Sequence, residues 1–189
     1  DWRDGLDAHT PMQGAILFAL SQSYELAQML GKEKEVSEWP RIANRMKKAA
    51  RRHLYDKQQK VFVSGANRQV SVLSQAWMII GGVTTEKEGK EAIQQVLTNE
   101  QSVMPGTPYG THYLIEAMVR CGMHQEARSY LTEYWGGMVK KGADTFWEAY
   151  DPKNDFISPY GFFPVNSACH AWSCTPVYFI HKYPETFQR

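Results

Sequence analysis

The sequence predicts an all-α protein built as an array of αα-hairpins. Three observations carry that prediction. Apolar residues recur at helical spacing in a series of separate runs. Glycines close several of those runs, and the turns after Gly31, Gly82 and Gly122 are short enough to make sequential helices antiparallel neighbours. No βαβ alternation, Gly-rich phosphate loop or HExxH is present, so dinucleotide, P-loop and zincin chemistry have no support. Repeated hairpins stack either as an open solenoid or as a toroid whose loops gather around a pocket at one end. The hairpins here share no common length or residue signature, which counts against the solenoid.

The elements follow in order. A polar entry, DWRDGLDAHT, precedes the first helix, with Asp4 and Asp7 read as solvated or capping carboxylates. Pro11 suits a first turn, where its missing N–H would be unpaired anyway. Met12, Ile16, Leu17, Leu20, Tyr24, Ala27 and Leu30 form an apolar stripe that Gly31 ends. A second helix spans about Ser37 to Tyr55, with Pro40 in its first turn and Trp39, Ile42, Met46, Ala49, Ala50 and Leu54 on the buried side. Its Lys47, Lys48, Arg51, Arg52 and His53 read as a solvated face. Residues 56–66 form a turn with a short β-like patch at Val61-Phe62-Val63. Val70 to Ile80 makes a third helix, closed by Gly81-Gly82. Thr85 followed by Glu88 is the capping-box signature of a fourth, which carries Ala92, Ile93, Val96 and Leu97. MPGTPYG, residues 104–110, reads as a rigid loop. Tyr113, Leu114, Ala117 and Met118 mark a fifth helix ended by Gly122; Ala127, Tyr130, Leu131 and Tyr134 mark a sixth ended by Gly136-Gly137. Ser167 is placed to cap a last segment from Ala168, which Pro176 should kink or interrupt.

Composition bounds the function. The 189 residues suffice for one domain with a sizeable core, and 43% apolar with 22% charged residues is ordinary for a soluble globular chain. Lysine and arginine total 21 against 20 carboxylates, so the net charge of +1 offers no field to nucleic acid or an anionic membrane. Cys121, Cys169 and Cys174 form neither a disulfide framework nor a metal-ligand spacing and read as buried thiols. Asp151 and Asp155 lack a calcium-loop spacing, and no metal or cofactor is expected. No leader or membrane span is visible, but the chain opens on Asp1 rather than methionine. It is therefore expected to be processed or to be a piece of a longer protein, and the compartment stays open.

One stretch departs from this pattern. Residues 142–172, GADTFWEAYDPKNDFISPYGFFPVNSACHAW, are broken by Gly142, Pro152, Pro159, Gly161 and Pro164, so no long helix or strand passes through. A loop this long in a compact domain is usually functional. Trp147, Tyr150, Phe156, Tyr160, Phe162, Phe163 and Trp172 give flat walls; Asp144, Glu148, Asp151, Asp155 and His170 give polar atoms. Aromatic faces beside carboxylates suit a polyhydroxylated ring, whose C–H faces stack while its hydroxyls donate. An aromatic-pinned structural loop on a helical domain fits the same composition.

At residues 142–148 the motif GADTFWE resembles the G-A-T-T-x-W-E signature of the α-L-rhamnosidases of glycoside hydrolase family 78. Asp1-Trp2 resembles the G-D-W that opens the second half of the family's barrel. MPGTPYGTHYLIEAMVRCGMHQEA resembles the stretch preceding the signature, and His170 matches a histidine that contacts the sugar. The resemblance implies a partial (α/α)6 toroid, the later half of the catalytic barrel, and inverting removal of terminal α-L-rhamnose from glycans or glycosides. It implies Glu148 as general base, with Trp147, His170, Asp1, Trp2 and Trp172 as substrate contacts. Asp144 stands where the signature has threonine, and Met104-Pro105-Gly106 replaces the usual threonine-glycine. The family's general acid lies in a D-C-P-x-R-x-E segment that this chain lacks. The resemblance thus makes residues 1–189 one C-terminal portion of a catalytic domain, inactive alone. It would pack against the missing part of its own chain or self-associate, and the family points to the periplasm or the outside of the cell. A same-barrel glycosidase for another sugar, and a non-catalytic carbohydrate-binding or structural module, are the alternatives.

Overall fold

The computed structural model describes residues 1 and 3–188. It forms two compact units: residues 7–103, and the first few residues together with those from Met104 onward. The fold is helical, as expected. The first unit contains α1 (His9–Met29), α2 (Trp39–His53), α3 (Val72–Ile80) and α4 (Glu86–Thr98), with β1 (Tyr55–Asp56), β2 (Val61–Ser64) and β3 (Gln69–Val70) between α2 and α3.

Helix α3 is the centre of this unit. All its residues except Trp77 are buried, consistent with a run that is apolar nearly all round. Helix α1 crosses it so closely that a β-carbon on Gly14 would lie 2.4 Å from the Trp77 carbonyl carbon. Leu17, Ala50, Phe62, Met78 and Val83 form the common core, drawing one residue or more from α1, α2, β2 and α3. The apolar stripes of α1 and α2 are less covered than expected. Met12, Ile16 and Leu30 are exposed, as are Ile42 and Ala49, because both helices are apolar over a wider arc than their neighbours cover.

The β-like patch proves to be the central strand of an antiparallel sheet of order β1-β2-β3, paired Tyr55↔Phe62 and Val63↔Val70. Strand β3 stops at Val70, and there a side chain completes the ladder. Phe62 N donates to Gln75 Oε1 (2.7 Å), and Gln75 Nε2 donates to Phe62 O (2.8 Å) and Ser71 O (3.0 Å). The primary amide of Gln75 thus serves Phe62 as a further strand residue would. Helix α4 opens on the expected capping box: Glu88 N donates to Thr85 Oγ1 (3.3 Å) and Thr85 N to Glu88 Oε2 (2.9 Å). Arg51 of α2 then donates to both Glu88 oxygens, at 2.6 and 3.0 Å.

The second unit contains α5 (Pro108–Arg120), α6 (His124–Lys140), α7 (Thr175–Lys182) and the short α8 (Pro184–Phe187). The α5–α6 turn matches the reading of Gly122. Its φ of 68° is left-handed, Gly122 N donates to Val119 O (3.0 Å), and Met123 N to Met118 O (2.9 Å). Helix α5 begins earlier than expected, inside MPGTPYG, because Thr107 accepts from Gly110 N (3.1 Å) and Pro108 fits the first turn. Helix α6 runs through Gly136-Gly137 to Lys140 instead of stopping there. Ser167 caps no helix; α7 starts at Thr175 with Pro176 in its first turn, so the proline begins the helix rather than kinking it. Cys169 and Cys174, expected to be buried thiols, are exposed in the chain before α7, whereas Cys121 is buried.

Glu116, only 4% exposed, ties α5 to the chain end. It accepts from Arg120 Nε (2.9 Å), Lys182 Nζ (3.3 Å) and the Tyr183 hydroxyl (3.0 Å). Burial acts to raise its pKa, but these three donors outweigh it and hold the carboxyl below its ordinary value. Among the described residues, no helix is long and apolar enough to cross a membrane.

Candidate active site

Glu148 lies in irregular chain that hydrogen-bonds to the segment returning through residues 167–170. Glu148 N donates to Ser167 O (2.9 Å), and His170 N donates to Phe146 O (2.9 Å). Thr145 Oγ1 adds a bond to Ala168 O (2.6 Å). Helix α6 anchors this pair from behind. Trp135 Nε1 donates to Ser173 O (2.7 Å), Ser173 Oγ donates to Trp147 O (2.7 Å), and the Tyr134 hydroxyl donates to Tyr150 O (2.8 Å). The second glycine of α6 is needed here, since a β-carbon on Gly137 would lie 2.3 Å from the Tyr150 hydroxyl.

Glu148 is 3% exposed, and each of its carboxylate oxygens is held. The Tyr160 hydroxyl donates to Oε1, and Ser167 N donates to Oε2 (2.9 Å). His170 Nδ1 is 3.9 Å from Oε2. Burial acts to raise the Glu148 pKa. The Tyr160 bond, the Ser167 amide and the His170 charge act against burial and prevail, so the carboxyl titrates below its ordinary value. It is therefore ionised at neutral pH. A carboxylate has about four lone-pair sites, so two remain for a water molecule or a sugar hydroxyl.

The other candidate residues divide. His170 is brought to Glu148, and Trp172 to His170: their rings lie 4.3 Å apart, and Trp172 stacks on Tyr109 of α5 at 5.3 Å and 24°. Trp147 is half-buried and packs edge-on to Tyr150. With Lys141, Phe156, Phe163, Asn166 and Ser167 it lines a cleft of about 450 Å³. Asp1 is at the head of α5, where Oδ2 accepts from Gly106 N (2.9 Å) and Oδ1 from Thr107 Oγ1 (2.7 Å). Trp2 lies outside the described residues.

The loop at residues 104–107 meets the long loop. Arg3, Asp4, Gly106, Asn154, Ile157 and Ser158 line a second cleft of about 340 Å³, and Arg3 Nη1 is 3.5 Å from Asp151 Oδ2. Sequence reasoning missed Tyr160 and Ser167 as the partners of Glu148. One local signal was available for the first. Ser158-Pro159-Tyr160-Gly161 has serine, proline and glycine where a type I turn favours them, and Gly161 N donates to Ser158 O (3.4 Å), which presents Tyr160 at the turn's third position. Among the described residues, no three His, Cys, Asp or Glu side chains group as metal ligands.

Comparison with known proteins identifies the family of the chain. Residues 12–183 match the bacterial α-L-rhamnosidase six-hairpin glycosidase domain. A rhamnosidase from Klebsiella oxytoca with rhamnose bound superposes with a TM-score of 0.91 at 41% identity, over 97% of this chain and 36% of that one. A family 78 rhamnosidase of Bacillus sp. GL1 has a TM-score of 0.77 at 21% identity, over 96% of this chain and 20% of that one, which is a likeness of fold. The chain thus spans about a third of the Klebsiella enzyme's length. No curated protein sequence matched. With a domain match over most of its length and a 41% identical structure covering nearly all of it, the chain belongs to the bacterial α-L-rhamnosidase six-hairpin glycosidase family.

Proposed function

We propose that this chain is part of an inverting α-L-rhamnosidase that removes terminal α-L-rhamnosyl groups from glycans or glycosides, with Glu148 as the general base. The observation that carries this reading is the Glu148 carboxylate itself. It is withdrawn from solvent, held at both oxygens and kept ionised, at the position of a glycosidase signature in a glycosidase family. Inversion needs a second carboxyl about 6.5 to 9.5 Å away, which protonates the leaving oxygen while the base activates water on the opposite face of the sugar. That acid belongs to a part of the barrel outside residues 1–189. The exposed apolar residues of α1 and α2 give such a part something to cover. His170, next to Glu148, and Trp172, next to His170, offer a ring nitrogen and an aromatic face to the sugar. Trp147, Asp1 and Trp2 are the remaining contacts in this reading.

The test is release of L-rhamnose from an aryl α-L-rhamnoside by the full-length protein, with NMR detection of the first-formed anomer. The β-anomer is expected. Glu148→Gln keeps size and most hydrogen bonding but removes the base, so kcat should fall by about 10² to 10⁴ with substrate binding largely retained. Full activity in that variant, or retention of the anomer, would refute the assignment. Release of a different sugar alone would move the substrate to another member of the same barrel class, and binding without hydrolysis would favour a non-catalytic module.

A further inference from the structure

We infer that Tyr160 is the positioning residue of the Glu148 carboxylate, delivered to it by a loop whose own hydrogen bonds hold the tyrosine in place. The inference rests on the reading of Glu148 as the base. Tyr160 is 52% exposed, so burial does not hold its ring, yet its hydroxyl reaches a carboxylate that is 3% exposed. The loop is buckled to make this possible. Ser158 Oγ accepts from Tyr160 N (3.2 Å) and donates to Asn166 Oδ1 (2.8 Å). Asn166 Nδ2 in turn donates to Ile157 O (2.6 Å), closing the base of the loop. Asn166 also immediately precedes Ser167, whose amide holds the other Glu148 oxygen. One short network therefore sets both donors to the carboxylate.

The chemical consequence is orientation. A carboxylate gripped at only one oxygen swings about its terminal torsion, which is broad and roughly two-fold. A base that must meet a water molecule in line with a sugar carbon loses rate through such freedom. With Ser167 N on Oε2 and the Tyr160 hydroxyl on Oε1, that rotation is blocked. The groups facing the carboxylate are Tyr160 from the turn at 158–161, and Ser167 N and His170 from the returning segment. Of these only the Tyr160 hydroxyl is removed by Tyr160→Phe. The bond also raises the Tyr160 phenol's pKa, so the proton stays on the tyrosine and the charge on Glu148.

The test uses Tyr160→Phe in the full-length protein beside Glu148→Gln. Tyr160→Phe should lower kcat by about tenfold or more, the size expected for one hydrogen bond to a charged group, with KM little changed. Its acid limb in the pH–rate profile should move to higher pH, because the anion has lost a donor. Thermal stability should stay near that of the parent, since the ring is half exposed. Independently of turnover, a ¹³C-carboxyl-labelled glutamate sample, with the Glu148 signal identified by its loss in Glu148→Gln, should show that signal titrating at higher pH in Tyr160→Phe. An unchanged carboxyl titration overturns the inference whether or not the enzyme turns over. If Glu148→Gln stays fully active, the base reading fails, while the titration still reports on Tyr160. If Glu148→Gln is impaired and Tyr160→Phe alters neither kcat nor the acid limb, the positioning role alone fails.

Discussion

Replacing Gln75 by leucine would test whether a side chain completes the small sheet. Leucine nearly conserves volume and removes the amide, so the Phe62 N–H and C=O both lose the partner they have at 2.7 and 2.8 Å. Gln75 and Phe62 are buried, so water does not replace it. The Ser71 carbonyl is less affected, because as the residue before α3 it also accepts the first intrahelical bond. Two orphaned backbone groups cost about 2 kcal/mol each. The added apolar surface returns about 1.5 kcal/mol, leaving a net loss of about 2.5 kcal/mol. For a cooperative unit of about 100 residues that corresponds to a drop in melting temperature of roughly 10 to 20 °C. Guanidinium unfolding followed by far-ultraviolet circular dichroism measures it. Gln75→Glu keeps an acceptor for Phe62 N but loses the donor and buries a charge, so it should be at least as damaging at neutral pH. It should partly recover on acidification, when the protonated carboxyl can donate again. A Gln75→Leu loss below about 0.5 kcal/mol would refute the reasoning, since it falls under the cost of even one orphaned buried group.

Two further outcomes are expected. His170→Ala should weaken sugar binding by about 1 to 3 kcal/mol, or about 5- to 150-fold in Kd, if its ring makes a buried hydrogen bond to the ligand; calorimetry with L-rhamnose reads this, and unchanged affinity would remove His170 from the sugar contacts. The Arg51 and Thr85 bonds hold the Glu88 carboxyl at about 2, below its ordinary 4.5, so the stability they give is complete above about 4.5 and disappears as pH falls through about 2. Glu88→Gln should flatten that part of the stability–pH curve, and a curve unchanged by the substitution would show that another group carries it.

The helices were legible where their signals are local. Thr85 and Glu88 marked the start of α4, and Gly82 and Gly122 marked the ends of α3 and α5, because capping and left-handed closure involve residues a few positions apart. Local reading failed where tertiary packing prevails. Gly136-Gly137 looked like a stop, yet α6 runs through to Lys140, and Gly137 serves instead to admit Tyr150 from the long loop. Pro176 looked like a kink within a helix that begins only at Thr175. The signature around Glu148 was legible as a motif, and the aromatic content of its loop was evident. The donors to its oxygens were not, because Tyr160 and Ser167 reach it across a fold in irregular chain that no periodicity encodes. Gln75 passed unnoticed for a similar reason, since a glutamine on a helical run reads as a polar position until its backbone partner is known.

The two backbone rungs beside the Glu148 carboxylate have an implication for how such enzymes diversify. Glu148 N to Ser167 O and His170 N to Phe146 O use only main-chain atoms, so the spacing of Glu148 and His170 is indifferent to what the chain does between residues 149 and 166. That excursion carries Phe156, Tyr160, Phe162 and Phe163, and it can be lengthened, shortened or exchanged at modest entropic cost while the rungs persist. Under the function proposed above, recognition of the group attached to the sugar would drift with the excursion while Glu148 and His170 stay in register. A grafted excursion would keep Glu148 in place, but it would have to bring its own hydroxyl to stand where Tyr160 stands.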